Sequence, residues 1–462
     1  MRYVMKFGGS CMKNGENIRR SAEIVKQYRE KGGEIVTITS AMSRVTDEIL
    51  DALKKAEDGR EGEIEEFIGK LAEKHEEACR EAINDSQLRE ETWKEEEAEI
   101  NELRKLLSVI AYLREVTPRV RDYALSFGER LSTRIFWGSL LDLGIRAEYL
   151  RGWEAGIVTN ENFGSARPLM TVTYREVKKR LTPLLEKGIV PVVTGFIAAT
   201  PEGVVTTLGR GGSDYSATII GAALGVDEII LWKDVEGVMT ADPKLVPDAR
   251  TVPRMSYEEV VELAYFGAQV IHPLALEPAS RENIPIRVKS VFNPSAEGTL
   301  ITKIAEGPTV KALTMIKNSA IILVGGAEAA EPSMIAPKVL SLMHELGIRV
   351  LMLSQASSQA NISIAIPKDD LDRALKAIRS GFAPGEVQID HEEGICVIAV
   401  IGSGMRGKPG VAAKIFNAVA EKGINVRMIA QGSSELNISF AVREEDGVKA
   451  LRSLHEEFRL NA

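Results

Sequence analysis

The sequence predicts a mixed α/β fold: a mainly parallel sheet covered by helices and carrying a helical insertion, followed by two ferredoxin-like modules. Short apolar runs alternate with helical patterns from about residue 120 to residue 300. Residues 47–116 instead carry apolar stripes at helical spacing beside a Glu/Lys-rich stretch. The segment QASSQANIS at 355–363 returns 76 residues later as QGSSELNIS at 431–439, which indicates two copies of one unit.

The composition is that of an ordinary globular protein and argues against several classes. Of the 462 residues, 44% are hydrophobic and 27% are charged, which fits two to four domains. The net charge of −8 argues against a general nucleic-acid surface, and no apolar run approaches the ~20 residues that span a membrane. The first residues lack a signal-peptide pattern, and the three scattered cysteines fit a reducing compartment. We therefore expect a cytoplasmic protein that binds neither nucleic acid nor a membrane.

The elements of the sheet are predicted from short buried runs between turn signals. The strands expected on this basis are residues 3–7, 34–39, 189–194, 204–207, 229–232 and 286–288. A helix is expected at residues 16–31. Apolar residues between Ile64 and Leu71 recur at helical spacing, so residues 47–116 are predicted to form an inserted helical subdomain with a solvated charged face.

The chain is predicted to divide into an α/β domain and two repeated modules. The α/β domain should occupy residues 1–300 and be followed by a linker at residues 301–312. The modules should follow at residues 313–385 and 394–462. Each copy reads strand, helix, strand, strand, helix, which is typical of a ferredoxin-like βαββαβ module.

Two glycine-rich turns carry charged side chains at strand-to-helix junctions. The first, KFGGS at 6–10, lets backbone N–H groups approach an anion while Lys6 adds a point charge; a plain tight turn would also explain it. The second is LGRGGSDYS at 208–216. Its Arg210 could clamp a carboxylate with two hydrogen bonds, and Asp214 could orient a lysine or hold Mg²⁺. This second set is hard to explain as a turn alone.

Two further motifs are weaker. SFGE at 126–129 places a glycine before Glu129, which fits a carboxylate that receives an ammonium group, although a helix cap explains it equally well. Asp234 and the Asp242-Pro-Lys244 turn lie in a loop after a predicted strand, where open α/β sheets bind nucleotides.

The segment GSGMRGK at 402–408 imitates two nucleotide-binding fingerprints. It follows a strand and precedes a helix, as a dinucleotide-binding turn does, and it nearly matches a P-loop. Pro409 replaces the Ser/Thr that a P-loop uses for Mg²⁺, and the module is too short for a dinucleotide domain. We expect a turn that receives a small effector.

Taken in order, these motifs resemble the aspartokinase family over essentially the whole chain. Besides the two glycine-rich turns, the matching segments are SAMSRVT at 40–46, SFGERLST at 126–133, VTGFI at 193–197, the loop from Asp234, FGAQVIHP at 266–273 and FNPSAEGT at 292–299. The resemblance implies the three-layer sandwich of the amino-acid-kinase fold, followed by two ACT domains. The archaeal and bacterial monofunctional enzymes look most similar, because no second catalytic domain follows.

The resemblance also implies a reaction and a set of roles. The family moves the γ-phosphoryl of ATP to the side-chain carboxylate of L-aspartate, giving 4-phospho-L-aspartate on the way to lysine, threonine and methionine. Lys6 and Asp214 would be catalytic, with Asp214 reaching Mg²⁺ indirectly through Mg-ATP. The residues implied for the aspartate pocket are Ser40, Thr46, Glu129, Phe196, Arg210 and Ser213, with Glu129 on the ammonium group and Arg210 on the α-carboxylate. The residues implied for the nucleotide are Lys6, Gly8, Gly9, Ser10, Lys233, Asp234, Met239, Asp242, Lys244 and Gln269.

Departures from the family pattern gather on the nucleotide side. The usual KFGGTSV is KFGGSCM, so that Ser10 and Cys11 replace a Thr-Ser pair. Lys233 replaces a Thr or Ser, Met239 a tyrosine and Gln269 a lysine. One positive charge is therefore lost at 269 and one is gained at 233. The sequence supports the acceptor better than the donor, so another kinase of this fold or a regulatory partner subunit remains an alternative.

The implied chemistry needs no general base. An aspartate side chain has a pKa of about 3.9 and is already ionised at pH 7, so the protein must mainly position two anions and stabilise their charge. A non-catalytic amino-acid sensor is a further alternative, but it would have no use for Lys6, Arg210 and Asp214 together.

The resemblance implies regulation and assembly through the repeated modules. ACT modules pair between subunits, so we expect a homodimer or a higher homo-oligomer, and they bind amino-acid effectors. The residues implied for the effector are Gln355, Ser357, Asn361, Gln431 and Asn437.

Overall fold

The structure is a computed structural model that describes residues 1–268, 271–326, 332–355 and 361–461. Its contacts divide the chain into two units. Unit 1 comprises Met1–Val238 and Ile271–Lys303, and unit 2 comprises Met239–Val270 and Ile304–Ala462. Every helix in the described ranges is too short or too polar to cross a membrane.

The strands and helices follow one another in the mixed order that the sequence predicts. The strands are β1 (Arg2–Phe7), β2 (Glu34–Thr39), β3 (Ala147–Leu150), β4 (Val190–Thr194), β5 (Ile197–Ala199), β6 (Val205–Thr207), β7 (Glu228–Lys233), β8 (Arg254–Ser256), β9 (Ile286–Ser290), β10 (Thr299–Thr302), β11 (Ala312–Gly326), β12 (Met352–Gln355), β13 (Asn361–Pro367), β14 (Val387–Ile401), β15 (Met428–Gln431) and β16 (Asn437–Arg443). The helices are α1 (Gly15–Glu30), α2 (Val45–Glu57), α3 (Glu61–Ala82), α4 (Ser86–Leu113), α5 (Pro118–Asp142), α6 (Met170–Glu186), α7 (Gly212–Leu224), α8 (Tyr257–Tyr265), α9 (Pro273–Arg281), α10 (Pro332–Glu345), α11 (Leu371–Gly381), α12 (Val411–Ala420) and α13 (Glu444–Glu457). Each predicted strand coincides with an observed one to within two residues at either end.

Unit 1 is built on a sheet in which β3, β4, β2, β1, β7, β9 and β10 lie side by side in that order. Every neighbouring pair in this run is parallel except β9 and β10. The chain leaves β1 toward β2 on one side and later returns to β7 on the other. Ligands of open α/β sheets bind at the carboxyl ends of the strands at such a reversal of strand order. The fold therefore places the turns after β1, β2 and β7 at one binding edge.

The predicted insertion consists of helices joined by short turns. Helices α2, α3 and α4 fill it and pack on α5 through one apolar core that includes Ile64, Ile68, Leu103 and Leu107. Helix α3 begins at Glu61 and buries one face at helical spacing, as the stripe from Ile64 to Leu71 predicts.

Unit 2 contains the two repeated modules in one antiparallel sheet of order β12-β13-β11-β14-β16-β15. The two central strands are long and shared. Residues Ser319–Gly325 of β11 pair with β13, whereas Ala312–Ile316 pair with the end of β14. In the same way, Ile395–Ile401 of β14 pair with β16, and its first residues pair with the end of β11. The first half of β14 thus serves as the last strand of the first module. In the same way, the first residues of β11 serve as the last strand of the second module.

The observed boundaries differ from a simple chain of separate domains. Of the predicted linker, residues 301–302 form the end of β10, where Ile301 is buried in register with Ile286, and Ala312 opens β11. Strand β14 begins at Val387, before the expected module start at residue 394, because its first half completes the preceding module.

Residues 239–270 belong to unit 2 although they precede the modules in sequence. Helix α8 begins with a capping box in which Ser256 and Glu259 satisfy each other's backbone N–H groups. Glu259 also binds the Lys311 Nζ at 3.0 Å and accepts the Ser403 N–H at 2.6 Å. Both charged side chains are fully buried. Removing either partner would leave an uncompensated buried charge, so this pair holds α8 against the second module.

The glycine loop of the second module is packed by the chain itself. A Cβ atom on Gly402 would lie 2.4 Å from the Thr309 carbonyl oxygen, and one on Gly404 would lie 2.8 Å from the Thr309 Cα. The loop thus receives residues 308–310, which explains these two glycines without the effector that the sequence suggested.

Gly402→Ala should therefore lower the unfolding free energy by about 1–3 kcal/mol, because an added methyl group overpacks this contact. The backbone at Gly402 is extended, with φ 171°, so the effect would be steric rather than conformational. Scanning calorimetry on the full chain would measure it. Gly432→Ala is the matched control, since its Cβ would meet nothing closer than 3.6 Å. Equal melting temperatures for the two variants would contradict the packing argument.

Candidate active site

A cavity of about 400 Å³ lies in unit 1 at the carboxyl ends of the parallel strands. It brings together residues from distant parts of the sequence. All of the residues implied for the aspartate pocket line it, together with Lys6, Gly9, Ser10 and Asp214. The site predicted from separate motifs is thus one continuous space in the fold.

The electrostatic centre of the cavity is the buried carboxylate of Asp214, which contacts two lysines. Lys6 Nζ lies 2.6 Å from Oδ1, and Lys233 Nζ lies 3.4 Å from Oδ2. Burial opposes the ionised form, but Lys233 and Lys6 outweigh it and lower the pKa of Asp214 to about 2. The three groups together carry a net charge of +1, so the arrangement favours an additional anion.

The turn after β1 brings its backbone to this centre. The Gly8 N–H donates to the Trp232 carbonyl oxygen at 3.2 Å, and the Cys11 thiol donates to the same oxygen. These bonds join the glycine turn to the end of β7, immediately before Lys233. A Cβ atom at Gly8 would lie 3.6 Å from the Lys6 Nζ, so the backbone of this turn passes close to the lysine.

The turn between β6 and α7 supplies the opposite wall. Gly209 and Gly211 both adopt φ 74°, which favours glycine. A Cβ on Gly211 would also lie 2.5 Å from the Cβ of His272. The turn delivers Ser213 and Asp214 in the first turn of α7, where backbone N–H groups are unpaired within the helix and attract anions.

Glu129 lies on α5 and is buried in the wall of the cavity. Its Oε1 accepts the Ala41 N–H at 3.2 Å, while Oε2 has no hydrogen-bond partner within the described residues. Burial raises the pKa of Glu129 to about 8, although the Ala41 N–H and Lys6 act in the opposite direction. A cationic ligand at Oε2 would restore the ionised form. The orphaned oxygen therefore fits an ammonium group.

Two non-glycine residues of the cavity wall adopt the left-handed region. Arg44 has φ 71° just before α2, and Phe196 has φ 67° between β4 and β5. Hydrogen bonds hold Phe196 on both sides, from its N–H to Ser216 and from Leu208 to its carbonyl oxygen. Strain of this kind persists where the surrounding structure enforces it, often at binding sites.

Sequence reasoning missed several residues of this site. Arg44 and Asp47 line the cavity but were not assigned a role, although they lie within the SAMSRVT motif or next to it. His272 belongs to FGAQVIHP and contacts the turn that carries Arg210, and burial together with Arg210 lowers the pKa of His272. Both motifs were recognised as family signals, and this contact geometry was not visible in them.

The predicted nucleotide residues fall in both units. Lys233 ends β7 and Asp234 follows it in unit 1, whereas Met239, Asp242 and Lys244 lie in unit 2. There, the Asp242 carboxylate accepts the Lys244 N–H at 2.9 Å and Thr251 donates to the Met239 sulfur. Gln269 lies outside the described residues.

The predicted effector residues lie at corresponding places in the two modules of unit 2. Gln355 and Gln431 end the edge strands β12 and β15, and Asn361 and Asn437 begin β13 and β16. Asn437 donates to the Glu262 carboxylate on α8. Ser357 falls outside the described residues.

Comparison with known proteins defines the class first. Residues 1–290 match the model of the amino acid kinase family, and residues 322–382 and 398–458 each match an ACT domain. The chain is an amino acid kinase with two C-terminal ACT domains.

Within that class, the relatives and the solved structures agree. The chain is 37% identical to aspartokinase 1, chloroplastic, of Arabidopsis thaliana, over 98% of this chain and 80% of that protein. It is 34% identical to aspartokinase 2, chloroplastic, of the same plant, over 98% and 84%. The structure matches Escherichia coli aspartokinase III in complex with aspartate and ADP with a TM-score of 0.81, 26% identity and coverage of 99% and 100%. The chain belongs to the aspartokinase family. Because these two relatives are plant proteins, the expected likeness to archaeal and bacterial enzymes stays a prediction.

Asp214 should stabilise the fold in a pH-dependent way. Its folded pKa of about 2 lies below the ordinary value of 3.8, so the stabilisation is fully present above pH ~5 and is lost as pH falls toward 2. The lowered pKa corresponds to about 2 kcal/mol. Urea unfolding of the parent protein and of Asp214→Asn from pH 7 to pH 2.5 would test this. The difference in unfolding free energy should shrink with acid; a constant difference would contradict the ionised assignment.

Proposed function

We propose that this protein is an aspartate kinase that transfers the γ-phosphoryl of ATP to the side-chain carboxylate of L-aspartate, giving 4-phospho-L-aspartate. The observation that carries the proposal is the division of one cavity into two charge environments. The unpartnered oxygen of Glu129 and the guanidinium-bearing turn of Arg210 suit the two ends of an amino acid. The Lys6–Asp214–Lys233 cluster suits phosphate.

The acceptor is recognised through its α-amino and α-carboxylate groups. Glu129 binds the ammonium group, and Arg210 binds the α-carboxylate with a planar pair of donors. Ser40, Thr46, Phe196 and Ser213 complete the wall. With both groups at Cα fixed, the side-chain carboxylate points toward Lys6. The reaction then depends on alignment, because the nucleophile is already ionised.

The donor is bound on the lysine side of the cavity. Lys6 and the N–H groups of the turn from Gly8 to Ser10 stabilise charge on the phosphoryl oxygens. Asp214 orients Lys6 at 2.6 Å and is kept ionised by both of its lysines. Lys233 adds the charge that Gln269 does not provide, and Asp234 is the next residue of unit 1 that we assign to the nucleotide. The assignment of Met239, Asp242 and Lys244 to the nucleotide stays a prediction from the sequence.

A divalent cation, proposed to be Mg²⁺, fits this site only as part of the nucleotide complex. The described residues contain no cluster of three His, Cys, Asp or Glu side chains that could hold a metal, and Asp214 is already bound by two lysines. The phosphates would hold the ion, with Asp214 close to that complex, and the ion would neutralise phosphate charge.

Several wider features complete the proposal. We place the product on the route to lysine, threonine and methionine, and we expect an amino-acid effector and a homodimer or larger homo-oligomer through the ACT domains. Escherichia coli aspartokinase III has been solved with lysine and aspartate, which supports an amino-acid effector. The catalytic domain at residues 1–300 and modules at 313–385 and 394–462 remain our proposed division. The expected cytoplasmic location stays a prediction, since the plant relatives are described as chloroplastic.

The decisive experiment is an aspartate-dependent assay of the purified chain with ATP and Mg²⁺. ADP release would report the donor, and trapping of the acyl phosphate with hydroxylamine would report the acceptor. ADP release and hydroxamate formation should both increase as the aspartate concentration increases. ADP release without hydroxamate would support another kinase of this fold, and neither signal would support a regulatory partner or a sensor.

Variants on the phosphate side and on the aspartate side of the cavity should affect different kinetic constants. Lys6→Met should lower kcat by about 10²–10³-fold, because it removes charge stabilisation at the phosphoryl group. Arg210→Lys should mainly raise the KM for aspartate, because a planar fork becomes a point charge. Steady-state kinetics with each substrate varied would separate these effects. An increase only in the KM for ATP with Arg210→Lys would reverse our assignment of the two pockets.

The KM for aspartate should fall as pH rises from 6.5 to 8. Glu129 in the empty site has a pKa of about 8, so most of it is neutral below that pH. Binding of an ammonium group requires the ionised form, and this form becomes more populated as pH rises. Glu129→Gln should raise the KM and remove most of this pH dependence. If the Glu129→Gln profile followed that of the parent protein, another group would control aspartate binding.

A further inference from the structure

Asp122 is a fully buried carboxylate outside the cavity that ties three segments of unit 1 together. Its Oδ2 accepts the Thr207 N–H at 2.8 Å and the Gly164 N–H at 2.9 Å. Its Oδ1 accepts the Thr207 hydroxyl at 2.9 Å. Three hydrogen bonds hold this buried carboxylate and its donors in fixed positions, because the loss of any bond would leave a buried polar group unsatisfied.

These bonds connect the two recognition groups of the proposed aspartate site. Asp122 and Glu129 are seven residues apart on α5, which is two helical turns and about 10 Å along one face. Thr207 ends β6, three residues before Arg210. Helix α5 therefore carries Glu129 at one point and holds the start of the Arg210 turn at another.

The third segment, residues 164–166, packs against the same turn that carries Arg210. The Ala166 N–H donates to the Thr207 carbonyl oxygen at 2.8 Å. A Cβ on Gly209 would lie 3.2 Å from the Gly164 carbonyl oxygen, so the two glycine backbones are in close approach. By binding the Gly164 N–H as well, Asp122 fixes both chains that pack around the base of the turn.

We propose that Asp122 is a positioning residue for amino-acid recognition, which sets the placement of Arg210 relative to Glu129. The inference rests on the proposed function and deepens it. Asp122 acts through backbone bonds to the turn and does not contact the substrate. Its effect is selective, because Lys6 and Lys233 belong to β1 and β7, whose pairing involves neither Asp122 nor Thr207. The tether governs aspartate binding and leaves the backbone positions of both lysines unchanged.

Asp122→Asn tests the proposal, because one of the two acceptor oxygens becomes an NH₂ donor and the negative charge that strengthens the three hydrogen bonds is lost. We expect the KM for aspartate to rise about tenfold, since small misplacements of binding groups have effects of this size or larger. The KM for ATP should change less than twofold. Equal increases in both constants, or a lower melting temperature with an unchanged KM for aspartate, would overturn the inference.

Asp142→Asn is the matched control on the same helix. Asp142 also accepts a backbone N–H, that of Asp85 at 2.7 Å, and it pairs with Arg19. It lies at the end of α5 away from the cavity, so this variant should lower the melting temperature without changing either KM.

A second pair of variants, at Thr207, refines the test. Thr207→Val removes the hydroxyl bond to Asp122 and should raise the KM for aspartate more than Thr207→Ser does; equal effects would count against the tether.

A double-mutant cycle identifies Arg210 as the group through which Asp122 acts. Because Asp122 is expected to act through the Arg210 turn, Asp122→Asn should add less than threefold to the KM for aspartate in an Arg210→Lys background. Full additivity would overturn this route.

Hydrogen exchange separates this inference from the proposed function. If the parent protein showed no aspartate-dependent turnover, the proposed function would fail. Faster exchange of the amides of residues 207–212 in Asp122→Asn than in Asp142→Asn would still support the tether, and equal exchange would overturn it.

Discussion

The contact of Asp214 with Lys6 and Lys233 is the constraint on which the binding edge of unit 1 depends. The three residues come from α7, β1 and β7, and all are largely buried. Burying charges is unfavourable unless each has a partner, so removal of one group would leave the others uncompensated. The parallel register that places Lys6 beside Leu231 sets both lysines at the same end of the sheet. This contact of Asp214 with both lysines depends on the strand order, on the two glycine turns and on the position of the start of α7.

The two buried carboxylates of the cavity have opposite environments, and this difference divides its chemistry. Asp214 is ionised by its lysines, with a pKa of about 2, and leaves a surplus positive charge for phosphate. Glu129 is desolvated, with a pKa of about 8, and becomes an anion most readily when a cation arrives. Carboxyl groups whose pKa values are separated in this way commonly take different roles in one site. The arrangement lets the site attract two anionic substrates without both carboxylates repelling them.

The sequence predicted the parts that follow from local chemistry and from sheet geometry. Lys6 and the turn near Arg210 were found because glycines and charges at strand ends converge in a parallel sheet. Asp122 could not be found in this way, since its partners Gly164 and Thr207 are distant in sequence and only folding brings them together. The repeat revealed two modules but not their shared strands. The sequence repeat is the same whether each module forms its own last strand or uses half of a strand of the other module. Local patterns carry no information about which distant backbone group a buried acid will meet.

The shared strands also determine how a ligand at one module would act on the rest of unit 2. Because β11 and β14 each contribute residues to both modules, a change in one module would act directly on a strand of the other. The segment from residue 239 to residue 270 is built onto this sheet through Glu259 and Lys311, and Thr240 contacts His455 on α13 at 3.0 Å. Asp242 and Lys244, assigned to the nucleotide side, lie on the same segment. A shift within the modules would therefore reach the segment that carries Asp242 and Lys244, which we propose for the nucleotide, because the buried Glu259–Lys311 pair links this segment to the sheet.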